Sequence, residues 1–149
     1  MRCMRAAWRV PVCLTAGLLG LAAAACSTNL DSASTHAGLG CVDDSSHCIN
    51  QRRHALHAIM NDKDRSWVHE PPTPAAYASG VRLFAFKSRK TELSCNELAI
   101  GRREADNAAG VLRSPGAARL TPAQVSRGLM LGAEVSRELA AEMKRRCRA

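Results

Sequence analysis

Aromatic residues and long apolar runs are both scarce in this chain of 149 residues. Phenylalanine, tyrosine and tryptophan together make up 3% of it, so the core of a folded domain must rely on Ala, Leu, Val, Ile and Met. The apolar run that ends in the alanines, residues 10–25, carries no charge and has 16 residues. A helix needs about 20 consecutive apolar residues to span a bilayer, so we expect no transmembrane helix.

Short motifs of several enzyme classes are absent as well. No serine stands in a Gly-x-Ser-x-Gly setting, and the chain has neither a glycine-rich phosphate loop nor the Cys-x-x-Cys-His motif of haem attachment. We therefore predict no catalytic residues, no cofactor and no enzymatic activity.

The charged segment GRREAD, residues 101–106, contains two carboxylates, Glu104 and Asp106. Two positions apart on a helix, they would point about 200° away from each other and could not share one acid–base site. We interpret the segment as a solvated helix face on which Arg102 and Asp106, four residues apart, form an ion pair.

Three histidines near the start of the folded part offer ligands for a metal. His47, His54 and His57 lie around Cys48, and imidazole and thiolate bind zinc and copper. However, His54 and His57 are three residues apart, no fourth ligand is evident, and Cys48 is better used in a disulfide. We interpret the histidines as part of a polar face and predict no metal site.

The start of the chain has the charge pattern of a secretory signal peptide. Arg2, Arg5 and Arg9 make it positive, the uncharged residues 10–25 follow, and the run ends in four alanines. An ordinary signal peptidase could cut after the Ala-x-Ala pattern at the end of this run. We predict that residues 1–25 are a cleaved signal peptide.

The stretch AAACST, residues 23–28, has small residues before a cysteine and Ser27 and Thr28 after it, and it resembles the lipobox of bacterial lipoproteins. Ala23 stands where leucine is commoner in that family. The resemblance implies that the sulfur of Cys26 receives a diacylglyceryl group and that the signal is cut before this residue. It also implies that the new amino group receives a further acyl chain such as palmitate, so that the protein is anchored in a membrane.

The residue after the cysteine bears on which membrane would hold the anchor. In the lipoprotein family an aspartate at this position marks retention in the inner membrane, and this chain has Ser27 there. The resemblance therefore implies the outer membrane, with the protein facing the periplasm of a cell envelope. Residues 26–40 have little apolar content, and we predict that they form a lipidated flexible tether with a reach on the order of 20 Å.

Seven cysteines occur in the chain, and two of them, Cys3 and Cys13, would leave with the signal peptide. Five would then remain: Cys26, Cys41, Cys48, Cys95 and Cys147. An odd number in a secreted chain needs a special explanation, and lipid on Cys26 would leave four that can all form disulfides. The alternative is a cleaved soluble protein with one spare thiol.

Four cysteines allow three pairings. Cys41 and Cys48 flank a short loop. Cys95, at the start of one predicted helix, would lie near Cys147, at the end of the next, if those helices were antiparallel neighbours. We therefore favour bonds between Cys41 and Cys48 and between Cys95 and Cys147, with a bond between Cys48 and Cys95 as the alternative.

Residues 41–149 predict a single all-α domain, a small bundle of about four helices stapled by disulfides. The helices are expected at about residues 48–61, from 74 to the basic residues 87–90, at 94–112 and at 122–147. Thr73 before Pro74, and Ser94 three residues before Glu97, are typical helix starts.

Helical spacing predicts which side chains face the core. On the second helix four residues fall on one side: Tyr77, Val81, Phe84 and Ser88. The alternative there is a strand at residues 81–86, VRLFAF. On the fourth helix seven residues share one line: Val125, Leu129, Gly132, Ser136, Leu139, Met143 and Cys147. Gly132 and Ser136 are small enough to let another helix approach, and we expect Trp67 to fold back and plug the core.

The net charge of +8 falls to +5 once the three N-terminal arginines are removed. This excess fits a solvated basic surface or, alternatively, attraction to an anionic envelope surface or an envelope protein. Nucleic acid is not an expected partner of an exported chain without a binding motif.

We expect a membrane-anchored envelope lipoprotein, held by lipid on Cys26, with a non-enzymatic structural or interaction role. The alternative is a soluble secreted protein that binds a small ligand, or an enzyme, with a site near His54, His57 and Arg102.

Overall fold

Five α-helices and two short 3-10 turns make up the part of the chain that the computed structural model describes, residues 39–147. The helices are α1 (Ser46–Asn61), α2 (Pro74–Ser79), α3 (Val81–Arg89), α4 (Cys95–Leu112) and α5 (Pro122–Arg146). The 3-10 turns are Ser66–His69 and Pro115–Ala117. No strand occurs among the described residues, and the predicted all-α, disulfide-stapled bundle is confirmed.

Several predicted features lie outside the described range. They are the signal peptide at residues 1–25, the tether up to residue 38, and the last two residues of the chain. The predicted end of the tether at residue 40 is wrong, because Leu39 is buried in the core and Gly40 is helical. Within residues 39–147, no helix is both long enough and apolar enough to cross a membrane.

The predicted start signals cap the helices. The Ser94 hydroxyl accepts a hydrogen bond from the N–H of Glu97 (3.3 Å), and the Glu97 carboxylate accepts one from the N–H of Ser94 (2.7 Å), which is the expected capping box. Thr121 and Gln124 form a second capping box at the start of α5. Ser45 caps α1, which therefore begins two residues earlier than predicted.

The predicted second helix is in fact two helices, because the chain turns at Gly80. Gly80 has a φ of 75°, a left-handed conformation that glycine adopts without strain. Its N–H donates to the carbonyls of Ala76 and Tyr77 and so ends α2. Because α3 starts immediately afterwards, the alternative strand at residues 81–86 is wrong.

The turn at Gly80 changes which side of this segment is buried. Tyr77 is buried as predicted, but Phe84 is 46% exposed. Arg82 and Phe86 are buried in its place. A single helical line through both helices is therefore wrong, since the break restarts the helix with a different orientation.

Trp67 plugs the core, as predicted, from the 3-10 turn before α2. Its side chain is 3% exposed, and its ring meets that of Phe86 edge-on with centroids 4.7 Å apart. Its Nε1–H has no hydrogen-bond partner among the described residues. The indole thus acts as apolar filler in a core that is otherwise mostly aliphatic.

Helices α4 and α5 form the most extensive helix pair and run antiparallel. A Cβ built on Gly132 of α5 would stand 2.7 Å from the Cβ of Ala108 of α4 and 3.2 Å from the Ala105 carbonyl oxygen. One turn further along α5, the Ser136 hydroxyl donates to Asp106 (2.5 Å). The two small residues therefore allow the close helix contact predicted for them.

The buried side of α5 is centred slightly off the predicted line. The buried residues of this helix are Gly128, Gly132, Val135, Leu139 and Glu142. Of these only Gly132 and Leu139 belong to the predicted line, and the rest of that line is half-buried. The physical reason is that α5 also packs against α3, where Lys87 and Glu134 form an ion pair at 2.5 Å.

The four cysteines of the domain lie in the two pairs that the sequence favoured. Cys41 and Cys48 close the loop before α1, with Cα atoms 5.3 Å apart. Cys95 and Cys147 join the start of α4 to the end of α5, with Cα atoms 5.7 Å apart. Each crosslink restricts the unfolded chain, an effect typically worth about 2–4 kcal/mol.

Glu97 links the start of α4 to the loop after α1. Its carboxylate accepts a hydrogen bond from Arg65 Nε (2.7 Å) as well as the one from Ser94. Burial by itself would raise the pKa of Glu97, but the hydrogen bonds from Arg65 and Ser94 outweigh burial and lower the pKa to about 2. Ionised Glu97 therefore stabilises the fold above its ordinary pKa of 4.5, and this stabilisation is lost as the pH falls towards 2.

Gly132→Ala should destabilise the domain by about 1–3 kcal/mol, because the added methyl group would overlap Ala108. Urea unfolding followed by circular dichroism measures the change. Gly110→Ala is the matched control, since Gly110 also lies in a helix but a Cβ there has no described atom within 4 Å apart from its chain neighbours and the backbone of its own helix. It should raise stability by about 0.5–1 kcal/mol through helix propensity. Equal effects of the two substitutions would contradict the close contact.

Glu97→Gln should lower the free energy of unfolding by about 2 kcal/mol at pH 7, because the neutral amide loses the charged contact with Arg65. The difference from the unsubstituted protein should shrink as the pH falls from 4.5 towards 2. Urea unfolding over a pH series measures it. Asp64→Asn is the control, since Asp64 is exposed and forms no ion pair with a described residue, so this change should alter stability little at any pH. A difference that does not vary with pH would refute the assignment.

Candidate functional site

A buried guanidinium, that of Arg82 on α3, is the centre of the polar network in the core. Arg82 is 2% exposed. Its Nε and Nη2 atoms donate to the two carboxylate oxygens of Glu104 on α4, at 3.0 Å and 2.6 Å. Nη1 donates to the Trp67 carbonyl (2.7 Å), and Nη2 also donates to the Glu70 carbonyl (2.9 Å). The bidentate pair neutralises two buried charges, and the carbonyl contacts fix the loop that leads into α2.

Glu104 lies on the buried side of α4, which corrects the interpretation of residues 101–106 as a solvated face. Glu104 is 7% exposed, whereas Arg102 and Asp106 are exposed and form the predicted ion pair, at 3.6 Å. The sequence did not reveal this because the partner, Arg82, lies 22 residues earlier. Its burial also depends on the helix break before α3, which was not predicted.

Tyr77 extends the network from α2. Its hydroxyl donates to the main-chain carbonyl of Glu104 (3.1 Å). Burial, together with the negative charge of Glu104, raises the pKa of Tyr77 to about 12, although Arg82 acts in the opposite sense. Tyr77 therefore keeps its proton near neutral pH and serves as a hydrogen-bond donor, not as a base.

Two clefts flank residues 70–72, and each is lined by one partner of the buried ion pair. The larger, of about 590 Å³, includes Arg82 and Leu39. The other, of about 450 Å³, lies against α4 and includes Glu104 and His69. Both volumes suit a small ligand. However, the guanidinium nitrogens and the carboxylate oxygens of the pair are already bonded, so they stabilise the cleft walls and offer no free acid, base or nucleophile.

A smaller groove of about 380 Å³ lies between α4 and α5. Six residues line it: Asn96, Ala99, Arg102, Arg103, Asp106 and Met143. Neither arginine donates a hydrogen bond to a described residue by ordinary geometric criteria, and Arg103 forms no ion pair with one. Unlike the buried pair, this groove presents uncommitted N–H donors to solvent.

The candidates from the sequence, His54, His57 and Arg102, are not brought together. Both histidines are exposed on α1, which packs chiefly against α3. Arg102 is exposed on α4, in the groove beside α5. His57 interacts with Asn61 one turn later, and His47 is exposed at the start of α1. These positions agree with the histidines being part of a polar face.

Cys41, Asp43 and Cys48 form the one described group of three whose possible metal ligands lie within 4.8 Å of one another. The two sulfurs are joined in a disulfide, so neither is a thiolate that could bind a metal. Hydrogen bonds from Ser45 lower the pKa of Asp43. Arg52 donates to the carbonyls of Cys41 (3.1 Å) and Asp43 (2.6 Å). This group therefore holds the loop before α1 in place.

Cys26, the expected site of lipid attachment, lies outside the described residues, so that expectation stays a prediction. No known protein family matches this chain, and neither a curated protein nor a solved structure matches it.

Replacing one partner of the buried ion pair should lower the free energy of unfolding more than replacing both partners. Arg82→Met and Glu104→Leu should each lower the free energy of unfolding by about 3–5 kcal/mol, because each leaves one uncompensated buried charge. The double variant should lose clearly less than the sum of the two losses. Urea unfolding of the four proteins of this cycle measures the coupling.

The exposed pair Arg127 and Asp44 is the comparison, with 38% and 70% of the two side chains accessible. Arg127→Ala and Asp44→Ala should each change stability by at most about 1 kcal/mol. Losses at Arg82 and Glu104 that simply add would contradict their coupling.

Proposed function

We propose that this protein is a membrane-anchored envelope lipoprotein whose helical domain has a non-enzymatic structural or interaction role. The observation that carries the proposal is how the cysteines are used. The four in the domain pair with one another, so none of them is left to pair with Cys26. Cys26 follows three small residues at the end of a signal-like segment. Lipid on its sulfur accounts for the odd cysteine.

Lipid on Cys26 would hold the protein to a membrane through the hydrophobic effect alone. Each buried methylene group contributes about 0.8 kcal/mol, so one acyl chain binds marginally and two or three on one residue bind almost permanently. Residues 27–38 have little apolar content and suit a flexible tether, which ends where Leu39 packs into the core. With a reach on the order of 20 Å, the tether lets the domain stand clear of the lipid headgroups.

Ser27, in place of an aspartate, supports the outer membrane as the site of the anchor, with the domain facing the periplasm. An envelope compartment outside the cytoplasm permits disulfides. The two disulfide pairs suit such a compartment, and they offset the modest core of a small domain with few aromatic residues.

The way the polar groups are used supports a role without catalysis. Arg82 and Glu104 bind each other and main-chain carbonyls, and Tyr77 keeps its proton. None of these groups is poised as an acid, base or nucleophile. What the domain offers to a partner is the outer surface of its helices and their exposed cations, which suits binding.

A soluble secreted protein that binds a small ligand is the second candidate. The two clefts of about 590 Å³ and 450 Å³ favour it, since their volumes lie in the range of ligand pockets. Its site would lie at residues 70–72. His54, His57 and Arg102 would not form it, because they lie on different parts of the surface.

Cys26→Ala should abolish both lipid attachment and normal processing. Intact mass of the native product from detergent extracts should show acyl groups on a chain that begins at Cys26. The variant should show no acyl mass and should retain residues 1–25. Cys13→Ala removes a cysteine from the signal segment instead, and it should be processed and acylated like the native chain. A native product in the aqueous fraction with an unmodified amino terminus would rule out the anchor.

A further inference from the structure

We propose that the groove between α4 and α5 binds a phosphate group, carried either by a lipid headgroup or by a soluble phosphate ester. The groove is lined by Asn96, Ala99, Arg102, Arg103, Asp106 and Met143 and has a volume of about 380 Å³. The inference deepens the interaction role proposed above and rests on that proposal only for the encounter with lipid. The chemistry of the groove depends on described residues alone.

The two arginines at the groove make no hydrogen bond to a described residue, and Arg102 has one ion pair, with Asp106. The nearest carboxylate oxygen to Arg102 is on Asp106, 3.6 Å from the Arg102 Nε. Arg103 has neither a hydrogen bond nor an ion pair with a described residue. Each guanidinium carries five N–H donors in a planar fork that matches the oxygens of phosphate. Asn96 adds an amide donor to the same groove.

Asp106 is the one carboxylate among the described residues that line the groove, and it is already engaged. One of its oxygens accepts a hydrogen bond from Ser136 (2.5 Å), and the other faces Arg102. Two arginines and a single carboxylate therefore line the groove, and Arg103 also borders the cleft that includes Glu104. Lys144, which follows Met143 on α5, also forms no ion pair with a described residue. The local field favours a bound anion.

The other carboxylates of α4 and α5 are bound elsewhere in the domain. Glu134 pairs with Lys87 of α3 (2.5 Å), and Glu138 pairs with Lys90, which directly follows α3. Glu142 is buried and pairs with Arg145 (2.5 Å). On α4 the two remaining carboxylates are bound by arginines of α3 and of the loop after α1. No other acidic side chain of the two helices is left to neutralise the groove.

The walls of the groove are fixed before any ligand arrives. The close approach of Gly132 to Ala108 sets the distance between the helices, and the bond between Cys95 and Cys147 ties their ends. A site that is already formed loses less free energy through ordering when it binds. Met143 and Ala99 give the groove an apolar floor beside the arginines, which suits a phosphate carried by an organic group.

Nuclear magnetic resonance titrations of the mature protein in nonionic detergent micelles test the proposal. The readout is the backbone amide signals of the groove together with the side-chain amide of Asn96. The probes are glycerol 3-phosphate in solution, phosphatidylglycerol mixed into the micelles, and diacylglycerol, which lacks the phosphate. Shifted amide signals with glycerol 3-phosphate would mean that the groove binds soluble phosphate esters in addition to lipid headgroups. A shift with phosphatidylglycerol alone assigns it to lipid headgroups.

Arg102→Gln combined with Arg103→Gln should weaken the response at least about tenfold in affinity, because two charge-assisted contacts are lost. Arg113→Gln combined with Arg119→Gln is the matched control, since both arginines are exposed and the change in net charge is the same. The control should stay within about twofold of the native protein. Equal losses in the two double variants would overturn the site, as would equal shifts with diacylglycerol or no shift with either phosphate.

These outcomes are independent of the lipid on Cys26. Failure of the titrations would leave the acyl mass of the native product unchanged. Absence of acyl mass would not affect the titration with glycerol 3-phosphate, because that probe binds from solution.

Discussion

The buried guanidinium of Arg82 sets the arrangement of the domain, because a charge inside a protein must be neutralised and fully hydrogen-bonded. Glu104 supplies the carboxylate from α4, and the carbonyls of Trp67 and Glu70 accept two further hydrogen bonds. These hydrogen bonds of Arg82 hold α3, α4 and the loop between α1 and α2 in fixed positions relative to one another. The position of the Trp67 ring against Phe86 then follows from the position of its own main chain.

The same kind of contact recurs at the edges of the domain. Arg89 donates to the Asp62 carbonyl (2.8 Å) at the end of α1. Arg146 donates to the carbonyls of Thr91 (2.6 Å) and Leu93 (2.9 Å) in the connection before α4. The last carbonyls of a helix and those of a connecting loop lack helical partners, and arginine is long enough to reach them. In a chain with few aromatic residues, these contacts replace part of the packing that large rings provide elsewhere.

Features that depend on residues close together in the sequence could be predicted, whereas features that depend on partners distant in the sequence could not. The capping boxes and the close contact at Gly132 follow from residues a few positions apart, and the disulfide pairing needed only antiparallel helices. The burial of Glu104 depends on Arg82, which one helix alone does not reveal. An isolated glycine within a helical pattern was the one signal for the break at Gly80. The clefts were beyond prediction because separate segments of the chain build each of them.

Whether an arginine is structural or available to a partner depends here on what lies within its reach. Arg82 reaches a carboxylate and two carbonyls, whereas Arg103 reaches none among the described residues. Because every carboxylate of α4 and α5 except Asp106 pairs with a cation outside the groove, the positive charge of Arg102 and Arg103 is only partly neutralised there. Electrostatic attraction fades over about 8 Å in physiological salt. A tether with a reach on the order of 20 Å would therefore let such a surface move into and out of the range of anionic headgroups while keeping its local concentration high.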